Sequence, residues 1–346
     1  MIKGNFFTQS TLIIALAVAF SFSSCEDKGE EPIPQADYTG QLTNISDNVI
    51  SATYADLAGK ASTLLSEVNK LKDNPSSINL NNARGAWRDT RAPWEKSEGF
   101  LFGPVDTKGI DPAIDDWPVD VVQLDSVLAS TSQLIESTIE GFTTTLKGFH
   151  TIEYLLWGSD GSKEIGEFTS REFEYLLGVT ENLKNKTKIL SDSWAVSGEN
   201  YGKNLREAGQ SGSLFISQKA ALEQLVEAIT GICDEVGSGK IAGPLGDTNP
   251  VPVEEESRFS HNSKNDFANN IRSISNVYTG SYNIGNSGLS DIIATKNATL
   301  DQKVLNAITA AINSIDAIQG NFSDAIHNNR ADVANARDKV LELKTI

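Results

Sequence analysis

Sulfur is almost absent from this chain: among 346 residues only Cys25, Cys233 and the initiator Met1 carry it. That excludes a disulfide framework, a thiolate zinc finger, an iron–sulfur cluster and a thioether copper site built within one chain. Imidazole is nearly as scarce, with His150, His261 and His327 the full set. Metal chemistry must therefore use oxygen and one or a few imidazoles. Basic residues are also few. Twenty-nine Lys and Arg face 46 Asp and Glu, a net charge of −17, which excludes a nucleic-acid binder working by general phosphate attraction and favours cations as ligands. The hydrophobic share of 39% is enough for real cores, so the chain is globular.

Long apolar runs are missing too. The most prominent, Leu12 to Phe20, is too short to span a bilayer. With Lys3 before it and Ser21, Phe22, Ser23, Ser24 and Cys25 after it, the segment reads as a secretory signal over 1–24. The cysteine directly after small serines resembles a bacterial lipobox, with Phe22 in place of the usual leucine. Cys25 is then the lipidation site, and 25–36, carrying Glu26, Asp27, Glu30, Glu31, Pro32 and Pro34, is an acidic tether. The expected location is the outer membrane, on its periplasmic or cell-surface face, with the membrane a partner through the N-terminal lipid.

Prolines cluster so as to leave 119–243 and 253–346 free of them, which suits helices. Leu222, Leu225, Val226, Ile229, Ile232 and Cys233 form one helical stripe; Leu305, Ile308, Ile312, Ile315, Phe322 and Ile326 form another. Period-two runs are almost absent. The fold class is all-α, with helices expected at about 41–72, 77–102, 120–140, 142–157, 169–208, 214–237, 254–280, 287–297, 300–320 and 323–343. Segments 103–118 and 238–252, rich in glycine and proline, read as related irregular loops. Their likeness hints at duplication and at two helical bundles, 37–210 and 211–346.

Two constellations carry possible chemistry. His150 and Glu153 are three apart on one helical face, so an imidazole and a carboxylate can reach a single cation, or pair with each other as a structural contact. Gly148 allows another helix to approach closely. On the helix before it, Arg84, Trp87, Arg91, Trp94, Glu95 and Glu98 share a face that mixes two tryptophans with four charges, more than a plain core face carries. Pro93 should kink that helix. Buried tryptophans with charges reaching outward are the alternative. Cys233 reads as a buried core thiol, His261 and His327 as surface or loop histidines.

These residues carry a family resemblance. Gly-x-His-x-x-Glu at 148–153 is similar to the signature of the imelysin-like proteins, the insulin-cleaving membrane protease family, whose relatives include iron-regulated and periplasmic iron-uptake proteins. Trp-x-x-x-Arg-x-x-Trp-Glu-x-x-Glu from Trp87 with Phe102-Gly103-Pro104, and Ile110-Asp111-Pro112 through Trp117-Pro118, resemble the same family. So do Ser257-Arg258-Phe259-Ser260, Asp266-Phe267-Ala268-Asn269-Asn270-Ile271 and Tyr278-Thr279-Gly280. The resemblance implies two helical bundles with a site between or beside them. It makes His150 and Glu153 the signature pair, Glu95 and Glu98 partner carboxylates, and Trp87, Arg91, Trp94, Asp266 and Asn270 the ligand-binding surroundings.

Such a shell suits a divalent or trivalent metal ion, iron first, with zinc or calcium as alternatives. Without metal, Glu95, Glu98 and Glu153 should have raised pKa values or lean on Arg91, and a metal-free salt-bridge network is the rival account. The family name implies a metallopeptidase, yet the residues after the three histidines are Thr151, Asn262 and Asn328, so no His-Glu-x-x-His occurs. A Gly-x-Ser-x-Gly elbow is missing as well. The expected function is an envelope lipoprotein that binds a metal ion or a metal-containing ligand in uptake or homeostasis, with an envelope transporter as a further partner. A metallopeptidase and a metal-free peptide- or glycan-binding module are the alternatives.

Overall fold

The computed structural model describes residues 36–285 and 287–346. The expected signal segment, the Cys25 lipidation site and the tether as far as residue 35 lie outside the described residues. Asp37–Ile346 forms one compact unit, and among the described residues it is built of helices and loops without a strand, as the all-α expectation required. No described helix is long and apolar enough to cross a membrane.

Helix α1 (Thr39–Asn44) passes through a π-helical stretch (Ile45–Ser51) into α2 (Ala52–Asp73), followed by α3 (Ser77–Glu95). Then come α4 (Pro104–Thr107), α5 (Ile110–Asp115), α6 (Val121–Ala129), α7 (Glu136–Glu140), α8 (Gly148–Trp157), α9 (Ser170–Trp194) and α10 (Lys203–Arg206). The remainder is α11 (Gln218–Asp234), a second π-helical stretch (Glu235–Ile241), α12 (Ala242–Leu245), α13 (Ser263–Thr279), α14 (Leu289–Asp316), α15 (Phe322–Asn328) and α16 (Arg330–Lys344).

Local chemistry accounts for the long helices. Leu57, Ala61, Leu64, Val68 and Leu71 line the buried face of α2 at helical spacing. The Ser76 hydroxyl accepts from the Asn79 amide to start α3, and Thr169 with Glu172 forms a reciprocal capping box at α9. Each cap stabilises its helix by about 1 kcal/mol. Several expected helices are interrupted. The one expected over 120–140 breaks at Ser130-Thr131-Ser132, whose hydroxyls compete for backbone groups, and the one over 169–208 ends at Trp194 shortly before Gly198. Segment 103–118, expected to be irregular, holds α4 and α5. The helix expected from 254 begins at Ser263, which leaves 255–262 as a loop. Conversely, α14 runs through the two helices expected at 287–297 and 300–320, with non-helical backbone only at Asn297 (φ −156°, ψ 84°).

The expected bundle boundary at 210 falls between α10 and α11, and the helices on either side of it meet at α3. That helix packs on α2 and α8 from the first half and on α13 from the second. Its C-terminal end is therefore surrounded by protein, and the ionisable residues it carries are buried by the fold.

Candidate metal centre

The last turns of α3 present Arg91, Trp94 and Glu95, and the short 3-10 turn after it presents Glu98. Pro93 lies inside the final turn, so the backbone bond it cannot donate toward Asp89 is lost at the end of the helix, which stops two residues later. Asp115 ends α5, α8 supplies His150 and Glu153, and α13 supplies Asp266 and Asn270. The 255–262 loop adds Glu256 and Ser260, and the second π-helical stretch adds Lys240. All of these side chains are buried. Short π-helical stretches shift side chains out of the ordinary helical register. Here one carries an ammonium group inward.

Gly148 explains how α8 reaches α5. It adopts φ +79°, and a Cβ built there would lie 2.3 Å from the carbonyl oxygen of Ile114. Only glycine permits this approach. The contact sets the start of α8 against the residue preceding Asp115, and His150 Nε2 comes within 3.2 Å of Asp115 Oδ1.

Arg91 is the hub. It is fully buried, and its guanidinium meets Glu95 Oε1 at 2.6 Å, Glu256 Oε1 at 2.8 Å and Asp266 Oδ1 at 3.7 Å, with Asp115 bonded to Nη1. Burial disfavours its charge, but the carboxylates outweigh burial and hold its pKa above the ordinary value. Lys240 Nζ stands 3.0 Å from Glu256, 3.7 Å from Glu98 and Glu235, and 3.8 Å from Glu95. Its pKa is raised against the same burial cost.

The carboxylates divide by their partners. Burial opposes the Glu256 charge, yet Lys240 and Arg91 together keep its pKa at about 2. Glu95 is raised by burial despite Arg91, Lys240 and a 2.5 Å hydrogen bond from Asn270. Glu98, which no hydrogen bond reaches among the described residues, is raised well above its ordinary value by burial. Asp266 is pushed up to about 8 by burial, with Glu95 and Glu256 adding to it and Arg91 opposing. Glu153 does not lean on Arg91. Its Oε2 faces His150 Nδ1 at 3.1 Å, while Oε1 accepts from both the amide and the hydroxyl of Ser260 at 2.7 Å.

Two groups of ligand atoms each lie within 4.8 Å of one another: Asp115, His150 and Glu256, and Glu95, Glu98 and Asp115. Glu256 Oε2 is buried and accepts no hydrogen bond, while Glu95 Oε1 makes only its ion pair with Arg91 and His150 Nε2 only its contact with Asp115. Ligand atoms at this spacing, one of them lacking a partner, match what a hard cation requires.

Of the residues singled out from sequence, His150, Glu153, Glu95, Glu98, Arg91, Asp266 and Asn270 are thus brought together. Trp87 and Trp94 are fully buried and present no open face. Trp87 donates to the Phe149 carbonyl and packs edge-on against Phe149 and Trp157, while Trp94 donates to Asp115 at 2.5 Å. Asp115, Glu256 and Lys240 escaped the sequence reading. Asp115 and Glu256 do stand just before motif residues, Trp117-Pro118 and Ser257-Arg258-Phe259-Ser260, which was the available signal.

Fold and centre together define an all-α protein with a buried carboxylate–imidazole core built around a Gly-x-His-x-x-Glu helix. The chain belongs to the imelysin family, whose model, described as Imelysin, matches residues 50–345. It is 32% identical over 266 residues to iron-regulated protein A of Synechococcus elongatus, covering 76% of this chain and 69% of that one. A solved structure described as "a putative iron-regulated protein A precursor", from Parabacteroides distasonis, superposes with TM-score 0.77 at 27% identity, over 92% of this chain and 96% of that one. An imelysin-like protein from Psychrobacter arcticum shares the fold with TM-score 0.72 at 15% identity, over 88% of this chain and 91% of that one.

Proposed function

We propose that this protein binds a metal ion, iron first, in uptake or homeostasis, with His150, Asp115 and Glu256 as the central ligands. One observation carries the reading. Six buried carboxylates, Glu95, Glu98, Asp115, Glu153, Glu256 and Asp266, surround two buried permanent cations, Arg91 and Lys240, with Arg88 acting on Glu153 and Asp266 from outside the core. Buried charge of one sign is costly unless protons or a cation neutralise it, and a hard ion supplies the missing positive charge in an oxygen-rich shell. Relatives named for iron regulation support iron as the first choice.

A peptidase reading needs a peptide bond to reach the same atoms. Arg91, Glu95 and Glu153 are fully buried and His150 is 1% exposed, which favours an ion over a polypeptide as the guest. The expected lipid at Cys25 and the envelope location belong to the same proposal: a tethered protein that takes its metal outside the cytoplasm and passes it to a transporter.

The test is stoichiometric. The purified chain, loaded with ferric citrate and desalted, should retain iron, His150→Ala should lose most of it, and casein and insulin should stay intact. Equal iron in both proteins, or none in either, contradicts the assignment. Radiolabelled palmitate should enter the wild-type chain and not Cys25→Ala; equal labelling of both contradicts the anchor.

A further inference from the structure

We infer that one face of the protein, formed by α11, α14 and the loop before α11, lies on a lipid bilayer, with Leu214 and Ile216 entering its acyl boundary. The inference rests on reading Cys25 as the lipidation site.

The loop displays these two side chains by construction. The Ser213 hydroxyl and the Leu214 amide both donate to Asn204, and the Gly209 amide donates to the Phe215 carbonyl. Phe215 packs against the core, so its neighbours on either side are turned outward, Leu214 69% and Ile216 90% exposed. Aliphatic side chains held in water by a hydrogen-bonded loop contribute no burial to the isolated chain.

The apolar surface continues along the helix that follows. Leu222, Val226 and Ile229 of α11 with Ile292, Ile293 and Val304 of α14 line a groove of about 290 Å³, partly open to solvent. Val226 is itself 49% exposed. An aliphatic wall of this kind suits acyl chains better than a polar guest.

The start of the compact unit says what covers this face. The Tyr38 amide donates to Gln218 Oε1 at 2.7 Å, Gln218 Nε2 donates to Asp37 at 3.1 Å, and the Lys296 ammonium donates to the Tyr38 hydroxyl at 3.1 Å. Gln218 is one turn before Leu222 on α11 and Lys296 one turn after Ile292 on α14, so Asp37 and Tyr38 are held across one end of the groove. Asp37 follows Cys25 by twelve residues, a span of at most about 40 Å. A lipid on Cys25 therefore keeps this end of the groove within reach of the bilayer, at an effective concentration where weak apolar contacts suffice.

The experiment uses the full chain reconstituted with phosphatidylcholine vesicles that contain a doxyl-labelled lipid. An environment-sensitive fluorophore is placed on Ile216→Cys, on Val226→Cys or, as the control, on Asp192→Cys of α9; Cys233 is buried and stays unlabelled. Circular dichroism confirms that the variants are folded, and palmitate incorporation is measured on the same proteins. Fluorescence at 216 and 226 should shift to the blue and lose most of its intensity to the doxyl lipid, whereas that at 192 should not change. A palmitate-bearing chain with no quenching at 216 and 226, or with equal quenching at 192, overturns the face and leaves the anchor. Quenching at 216 and 226 in a chain without palmitate overturns the anchor and leaves the face. A blue shift that develops without vesicles as protein concentration rises gives the face to a second copy of the chain and overturns the bilayer contact.

Discussion

Glu153 Oε2 stands 3.1 Å from Nδ1 of His150, and this contact turns the other ring nitrogen, Nε2, toward Asp115 Oδ1 at 3.2 Å. Glu153 is itself fixed by the amide and hydroxyl of Ser260 on its second oxygen. In the proposed site the signature pair divides the work: the imidazole would meet a cation, and the carboxylate orients the imidazole. Losing such an orienting partner typically weakens metal binding about 10- to 100-fold. Glu153→Ala should therefore lower Zn²⁺ affinity by that factor in a calorimetric titration, and Glu153→Gln, which keeps a carbonyl acceptor, by less. Unchanged affinity in Glu153→Ala contradicts this role.

Gly148 joins the signature helix to α5. A methyl group there would meet the Ile114 carbonyl at 2.3 Å, and φ +79° disfavours any side chain. Strain and overpacking each contribute roughly 1–3 kcal/mol, so Gly148→Ala should destabilise the protein by about 2–6 kcal/mol in denaturant unfolding. It should also weaken metal binding, because the displaced backbone leads directly to Asp115. A destabilised variant with wild-type metal affinity contradicts the proposed coupling.

Arg91 holds four carboxylates without solvent. Removing one member of a buried ionic network leaves uncompensated charge, at a cost of about 3–5 kcal/mol. Arg91→Met should show this loss in thermal unfolding, and saturating Zn²⁺ should raise its Tm more than that of wild type, because the variant has one more negative charge to neutralise. Equal shifts in the two proteins contradict the charge account.

Asp266 sets a pH dependence for the metal-free protein. The folded state keeps this proton up to about pH 8, whereas the unfolded chain releases it near 3.8. Across that window the folded state binds more protons, so the Asp266 contribution to stability declines as pH rises from about 4 to about 8. Asp266→Asn should flatten this decline in Tm measured from pH 5 to pH 8. An unchanged slope contradicts it.

The long helices were legible because α2, α9, α11 and α13 bury continuous stripes at helical spacing. Helices of four to six residues such as α4 and α5 have too few turns for a stripe, and the glycines and prolines around them read as loop. The same limit applies to the site. His150, Glu95 and Glu98 were visible because regular spacing aligns them with charged or aromatic neighbours. Asp115 sits at the end of a short helix, Glu256 in a loop, and Lys240 in a π-helical turn directly after Gly237-Ser238-Gly239, where no period announces burial. Their roles come from contacts between distant segments. The tryptophans show the converse: Trp87 and Trp94 share a face with charges, yet long-range packing, not spacing, closes that face.

The most direct measurement is anomalous diffraction at the metal edge from crystals of the chain loaded with iron or zinc. A peak should lie about 2.0–2.2 Å from His150 Nε2, with Asp115 and Glu256 oxygens completing the contact. A metal bound only at surface carboxylates, or no peak with the Arg91 ion pairs intact, would contradict the account.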